Sequence, residues 1–476
     1  MKILYTASEV LPFSSSGGLG DVMGSLPAAV KSLHPEYDVS VISPLYSTIK
    51  PEYREKMTKV CEFRVRLSWR NQYCAVFRYD KDGVTYYFVD NEYYFKRESL
   101  YGSFDDGERF AYFCASVLTF MSETGYYPDI LHANDWQTAL SVIYLKMRYG
   151  ASEHYRNIKA VFSIHNIMFQ GQYDHAISGD VFDLEPSWAP VVDQDGCINL
   201  MKGAIVCADH VVTVSERYAE EIKGPEYGHG IDSVIRLYSC KLSGILNGID
   251  YTYYDPKTDK ALYRNYTYRS FDRKRENKLA LQKELGLTED PDIPMISVIS
   301  RLTDQKGLDL IADKANELLS DNVQLVVLGC GDRKYEDFFR GLQHNRGDKV
   351  RALIMYDKEL SKRIYASSDI FLMPSRFEPC GLSQMIASRY GAVPVVRETG
   401  GLYDSIKPYR TVDGKTEGNG FTFAAYNSGD MLYVIREALS LYKDREAFRA
   451  LSVRIMKHDF SWKISAEKYA GLYSNL

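Results

Sequence analysis

Residues Lys2–Leu33, KILYTASEVLPFSSSGGLGDVMGSLPAAVKSL, carry the reading on which the fold turns. KILYTA (Lys2–Ala7) has the length and apolar content of a short buried strand, and DVMGSLPAAVKSL (Asp21–Leu33) spaces its apolar residues as one face of a helix. Between them lies FSSSGGLG, with glycines crowded where strand gives way to helix. Glycine lets backbone N–H groups approach an anion closely, and a helix start favours negative charge. Yet the stretch Phe13–Gly24 holds no lysine or arginine, and Asp21 is acidic. A phosphate bound at this turn therefore needs its positive charge from elsewhere in the chain.

Outward from this unit the same alternation continues. DVSVISP (Asp38–Pro44) is the next strand, and DILHAND, KAVFSIHN and DHVVTVS are apolar runs that end in polar residues. Strands interleaved with helices indicate a parallel sheet covered on both faces, whose ligands bind at the carboxyl ends of the strands. The ends His132–Asp135, His165–Asn166 and Ser215 are expected to point toward one crevice. A second set begins near Pro294 with PMISVISRL, the helix GLDLIADKANELL, NVQLVVLGCGD, DIFLMPS and AVPVVRE. The expected architecture is α/β, with two doubly wound Rossmann-like domains facing across a deep cleft. The turn-rich run ILNGIDYTYYDP (Ile245–Pro256) marks the boundary. The expected divisions are residues 1–250, residues 251–458 and a final helical segment, residues 459–476.

Composition narrows the function classes. A chain of 476 residues exceeds one ordinary core. Net charge of −5 without basic blocks argues against a nucleic-acid partner. No run of eighteen apolar residues suggests a membrane helix, and no basic segment followed by a long apolar run suggests a signal peptide. Eight cysteines without a C-x-x-C pair read as a reduced, cytoplasmic protein. The 38 tyrosines suit either a polyol-binding surface or half-buried packing.

Each motif also has a plainer reading. Gly18, Gly20 and Gly24 give G-x-G-x-x-x-G, and VISP stands where a dinucleotide site has its ribose-binding acid, so a nicotinamide enzyme is disfavoured. SRLTDQKG (Ser300–Gly307) places Arg301 and Lys306 around a strand-to-helix turn, a fork and a point charge for phosphate, although such residues are often simply solvated. SRFEPCGLSQ (Ser375–Gln384) puts Glu378 at a strand end as an acceptor for sugar hydroxyls. Cys380 has no adjacent base and reads as a buried structural thiol. Nine histidines show no metal spacing, and His132 and His165 fit core positions as well as a site. Asp193-Gln-Asp195 and Asp290-Pro-Asp292 sit in loop contexts and read as chance D-x-D tripeptides.

Taken together, SSGGLGDV, LHANDWQTAL, SIHNIMFQGQY, TVSERYAEEI, ILNGID, SRLTDQKGLDL and MPSRFEPCGLSQ with RYGAVPVVRETGGLYDS strongly resemble bacterial glycogen synthases and plant starch synthases. The similarity runs from Met1 to about Trp462 in the family's order. It implies a retaining glycosyltransferase of GT-B fold, with no metal and no cofactor. The implied reaction moves glucose from a nucleotide sugar, ADP-glucose or UDP-glucose, to the non-reducing end of an α-1,4-glucan. By this resemblance Gly17 and Gly18 bring amides to the diphosphate, and Arg301 and Lys306 neutralise it as it departs. His165, Asn166, Glu378 and the backbone of Cys380, Gly381 and Leu382 lie at the transferred glucose. Asn247 lines the donor pocket, and Tyr356 stacks on the base. Asp21 and Asp135 sit near the sugars, and Tyr93 and Tyr94 lie on the acceptor path. One position departs from the family's K-x-G-G-L motif, where Ser15 replaces the lysine that reaches the donor phosphates. That departure leaves an alternative, a non-catalytic or attenuated glucan-binding paralogue.

Overall fold

The computed structural model describes residues 1–413 and 415–476, and the chain divides into two compact units. The first holds Met1–Gly248 and Trp462–Leu476, and the second holds Ile249–Ser461. These limits differ by a few residues from the expected ones. The physical reason is a set of hydrogen bonds within the second unit: Ile249 N–H donates to the Phe460 carbonyl at 2.8 Å, and Phe460 N–H donates to Tyr251 Oη at 2.8 Å.

The first unit is built on a nine-stranded sheet. Its strands are β1 (Lys2–Thr6), β2 (Asp38–Pro44), β3 (Thr58–Leu67), β4 (Arg70–Lys81), β5 (Val84–Asp90), β6 (Ile130–Asn134) and β7 (Lys159–Ile164). A small separate sheet follows, with β8 (Gln172–Tyr173), β9 (Asp193–Gln194) and β10 (Cys197–Asn199). β11 (His210–Thr213) and β12 (Leu242–Gly244) complete the large sheet, whose order is β12-β11-β7-β6-β1-β2-β5-β4-β3. Pairing is parallel from β12 to β5, and β4 runs antiparallel to both β5 and β3. The hairpin β3–β4 is an edge extension that the strand–helix alternation does not suggest. The central strands are buried along nearly their whole length, as a sheet covered on both faces requires. Each fully buried Ile, Leu or Val contributes roughly 1.5–3 kcal/mol.

Helix α1 spans Gly18–Leu33 rather than starting at Asp21, so the glycines form its first turn. Asp21 lies in that turn, where a carboxylate complements the helix dipole. The C-terminal helix Trp462–Ser474 packs on α1. It also fixes His132, which is fully buried with Nδ1 at 2.7 Å from Tyr473 Oη and Nε2 at 2.6 Å from Ser163 Oγ. Burial pushes its pKa down to about 3, so the ring is a neutral core residue and does not face a crevice. Ser215 likewise does not face ligand, because its buried side chain caps the helix Glu216–Glu221 by accepting from Tyr218 N–H.

The second unit has a six-stranded, all-parallel sheet. Its strands are β13 (Met295–Ile299), β14 (Gln324–Leu328), β15 (Val350–Leu353), β16 (Ile370–Met373) and β17 (Val393–Arg397). β18 (Arg410–Val412) and β19 (Lys415–Glu417) form a separate antiparallel pair, and β20 (Phe421–Phe423) closes the order β15-β14-β13-β16-β17-β20. Both large sheets agree with the expected doubly wound architecture. Among the described residues no helix is long and apolar enough to cross a membrane.

Tyr473→Phe removes a buried partner of His132 while keeping the ring. It is expected to destabilise the first unit by about 1–3 kcal/mol, the cost of leaving a buried polar atom unsatisfied. Urea denaturation monitored in that unit checks this, and an unchanged midpoint would show that the hydrogen bond contributes nothing.

Candidate active site

In the first unit, the register that pairs Thr6 with Ala133 and Asn134 with Ser163 brings the carboxyl ends of β1, β6 and β7 side by side. Three residues meet there. Asn134 Nδ2 donates to the carbonyls of Thr6 and His132, which turns its Oδ1 toward His165. His165 Nε2 lies 2.9 Å from that oxygen and must therefore be the protonated nitrogen. Burial lowers the pKa of His165 to about 4, so the ring is neutral at physiological pH and cannot offset a phosphate. Asp135 has φ of +58°, an uncommon value for a non-glycine residue, and its Oδ1 accepts from His165 N–H at 2.8 Å. Burial, and to a lesser degree the Glu9 charge, outweigh the amide hydrogen bonds and raise its pKa to about 7. Asp135 can thus hold or release a proton near neutrality.

The glycine turn is organised by a residue that motif reading did not single out. Glu9 is 3% exposed. It accepts hydrogen bonds from Ser16 N–H at 2.6 Å, Ser16 Oγ–H at 2.7 Å, Gly17 N–H at 3.0 Å and Tyr101 Oη–H at 2.7 Å. This corrects the reading of Gly17, whose amide is already engaged. The amides of Gly18 and Leu19, heading α1, have no acceptor among the described residues. Ser15 is exposed, its hydroxyl 3.2 Å from the Gly17 carbonyl. Its side chain lies over Gly20, where a Cβ would collide with it.

The remaining first-unit candidates are dispersed. Asn166 is half-buried next to His165, with Oδ1 accepting from Met168 N–H. Asn247 follows β12; it is buried, and its Oδ1 has no partner among the described residues. Tyr93 is exposed. Tyr94 is not a surface residue: it is fully buried, stacks on Tyr112 and donates to Glu108 Oε1, so its placement on an acceptor path is corrected to a packing role. Asp193 Oδ1 lies 2.6 Å from His175 Nε2, and among the described residues no group of three or more His, Cys, Asp or Glu side chains could hold a metal ion.

In the second unit the chemistry gathers at the ends of β13 and β16. Gly307, with φ of +68°, heads the helix α2 (Leu308–Ser320), and any Cβ there would strike the Pro374 carbonyl. This close approach lets Lys306 Nζ reach Glu378 Oε2 at 2.6 Å. Ser375 Oγ donates to the same oxygen at 3.1 Å, which leaves Oε1 for other partners. Arg397, at the end of β17, donates to the Arg376 carbonyl at 2.6 Å and steadies the loop that carries Glu378. Behind Glu378, Gly401 N–H donates to its carbonyl at 3.1 Å, and a Cβ on Gly401 would strike the Cys380 carbonyl. Cys380 is buried, whereas Gly381 and Leu382 are half-buried at the head of the helix Ser383–Arg389.

Two second-unit residues stand apart from this cluster. Arg301 is exposed just after β13, and its guanidinium has no partner among the described residues. Tyr356 is 78% exposed after β15, two strands from β13 at the same edge. The second unit therefore presents one free cation and one buried ion pair among the candidate residues. Ser375 and Arg397 were missed by motif reading, although both stand at strand ends, where the fold class directs attention.

A starch synthase catalytic domain model matches residues 2–237, and a model of glycosyl transferases group 1 matches residues 281–451. The chain is 50% identical to glycogen synthase of Clostridium perfringens, covering 100% of this chain and 98% of that one. It is 46% identical to glycogen synthase of Geobacillus stearothermophilus, with the same coverage. The catalytic domain of starch synthase IV from Arabidopsis thaliana, solved bound to ADP and acarbose, superposes with a TM-score of 0.90 at 33% identity over 99% of this chain and 98% of that one. Sucrose-phosphate synthase from Thermosynechococcus elongatus shares the fold alone, with a TM-score of 0.63 at 15% identity over 100% of this chain and 98% of that one. Fold and matches together define a two-domain glycosyltransferase of the GT-B class. Within that class, the chain belongs to the glycogen and starch synthase family.

Lys306→Met would leave Glu378 buried without its counter-charge. The second unit is expected to lose about 3–5 kcal/mol, and adding Glu378→Gln should recover most of it. Chemical denaturation of the two single variants and the double variant measures the coupling. Equal losses that simply add would mean that the two groups do not stabilise each other.

Proposed function

We propose that the protein transfers glucose from ADP-glucose to the non-reducing end of an α-1,4-glucan, with retention of configuration. The observation that carries this reading is Arg301, without a partner among the described residues, at the same carboxyl edge as the Lys306–Glu378 pair. Arg301 is the first group available to a diphosphate and offers it a bidentate fork. As the anion arrives, Lys306 exchanges its Glu378 contact for a phosphate oxygen, and the carboxylate is released to sugar hydroxyls. Both cations then act on charge that grows as ADP leaves, which places their effect on the transition state.

Neutral His165, held by Asn134, is a hydrogen-bond partner for a glucose hydroxyl rather than a counter-charge. Asp135 adds a carboxyl that titrates near neutrality. The relatives' names and the ADP and acarbose in the Arabidopsis structure support nucleotide sugar and glucan as the substrates. Exposed Tyr93 offers a ring face to the glucan. Eight free cysteines support a cytoplasmic location. The retained polar set favours an active synthase over a silent paralogue.

Incubation with glycogen and either ADP-glucose or UDP-glucose, in excess EDTA, with released nucleotide as the readout, tests the proposal. Release of ADP that depends on glycogen is expected. Arg301→Ala is expected to lower kcat by about 10- to 100-fold, the worth of a charge-assisted hydrogen bond, with little change in glycogen affinity. Full turnover by that variant, or restoration of EDTA-treated enzyme by magnesium, would contradict the mechanism.

A further inference from the structure

The Glu9 contacts explain more than the local turn. Two carboxylate oxygens take four donors: Oε2 holds the Ser16 and Gly17 amides, and Oε1 holds the hydroxyls of Ser16 and Tyr101. Tyr101 Oη also meets Ser8 Oγ at 2.7 Å, so Ser8 and Glu9, shortly after the end of β1, are both tied to the loop that precedes the helix Asp106–Thr124. Fully buried Tyr46 lies within electrostatic reach of Glu9 and Arg109, which makes this a polar anchor set into the core. The turn is further closed by Val10 N–H donating to the Ser14 carbonyl at 2.9 Å and Leu11 N–H to the Gly20 carbonyl at 3.1 Å.

An acid this close to an anion-binding turn would repel a phosphate if its charge were free, and four donors absorb it. It also takes up the two amides that precede α1. Gly18 and Leu19 then present the first free N–H groups, aimed from the helix start. Because Ser15 supplies no cation here, donor contact with this turn depends on amide direction alone.

We propose that Glu9 is a positioning residue that orients the Gly18 and Leu19 amides toward the donor's phosphates. It acts through hydrogen-bond geometry and not through its charge. This rests on the nucleotide-sugar reading given above. Geometry and charge separate cleanly by substitution. Glu9→Ala removes every contact. In Glu9→Gln the side-chain carbonyl takes the two amides, and the NH₂ donates to the Ser16 and Tyr101 hydroxyls, which reverse their roles.

Calorimetric titration with ADP is the test, together with hydrogen exchange over residues 15–19. Glu9→Ala is expected to bind ADP about tenfold or more weakly and to exchange faster in that segment, while Glu9→Gln stays within about threefold of wild type. Unchanged affinity in Glu9→Ala overturns the proposal, as does a Glu9→Gln variant as weak as Glu9→Ala. Should Glu9→Ala not fold, Ser16→Ala and Tyr101→Phe each remove one donor, with about threefold weaker ADP binding expected. Unchanged affinity in both overturns the proposal too. A wild-type chain that binds no ADP would instead overturn the substrate reading, and this proposal with it.

Discussion

A parallel sheet covered on both faces leaves polar chemistry one place to stand, at its carboxyl edge. The central strands of both units are apolar and buried along their lengths, so each loop leaving such a strand end must satisfy its own polar groups. In the first unit that need is met by Glu9, Asn134 and Asp135, each tied to the next strand or turn. In the second unit it is met by Lys306, Ser375 and Glu378. The same hydrogen bonds that make the edges tolerable in the folded chain also fix the orientation of the groups to which the proposed function assigns substrate contacts.

Charge is distributed unequally between the two edges. The first unit's turn contains acids and amides, and its one nearby imidazole is kept neutral by burial. Among the candidate residues the second unit carries both cations, Arg301 without a partner among the described residues and Lys306 paired with the buried Glu378 carboxylate. A buried ion pair is a poor source of net stability, and an anion that draws Lys306 away leaves a buried carboxylate that sugar hydroxyls would have to satisfy.

Much of this was legible in the sequence because strand length and helical spacing carry strong signals. The strand Asp38–Pro44 is where the apolar run places it. The hairpin β3–β4 escaped notice because its alternating exposure reads as surface, with no buried run to flag it. Helix α1 begins three residues before its apolar pattern does, since glycines carry no periodicity. His132 and His165 look alike as histidines near strand ends, yet one points into the core and the other sits at the edge. Side-chain direction is set by strand pleat and by distant partners such as Tyr473, which no local window contains. Glu9 was overlooked for a related reason: a single acid after a strand has no motif, and its meaning lies in four donors up to 92 residues away.

In the proposed function the glycine turn of the first unit meets the donor's phosphates through amides, without a cation of its own. Ser15 is exposed at that turn, so a lysine there can extend without displacing the core. Measuring ADP affinity and kcat for ADP-glucose in Ser15→Lys addresses the claim directly. A gain of up to about 10- to 100-fold is expected from one added charge-assisted hydrogen bond. ADP affinity and turnover equal to wild type would mean that the turn does not face the phosphates.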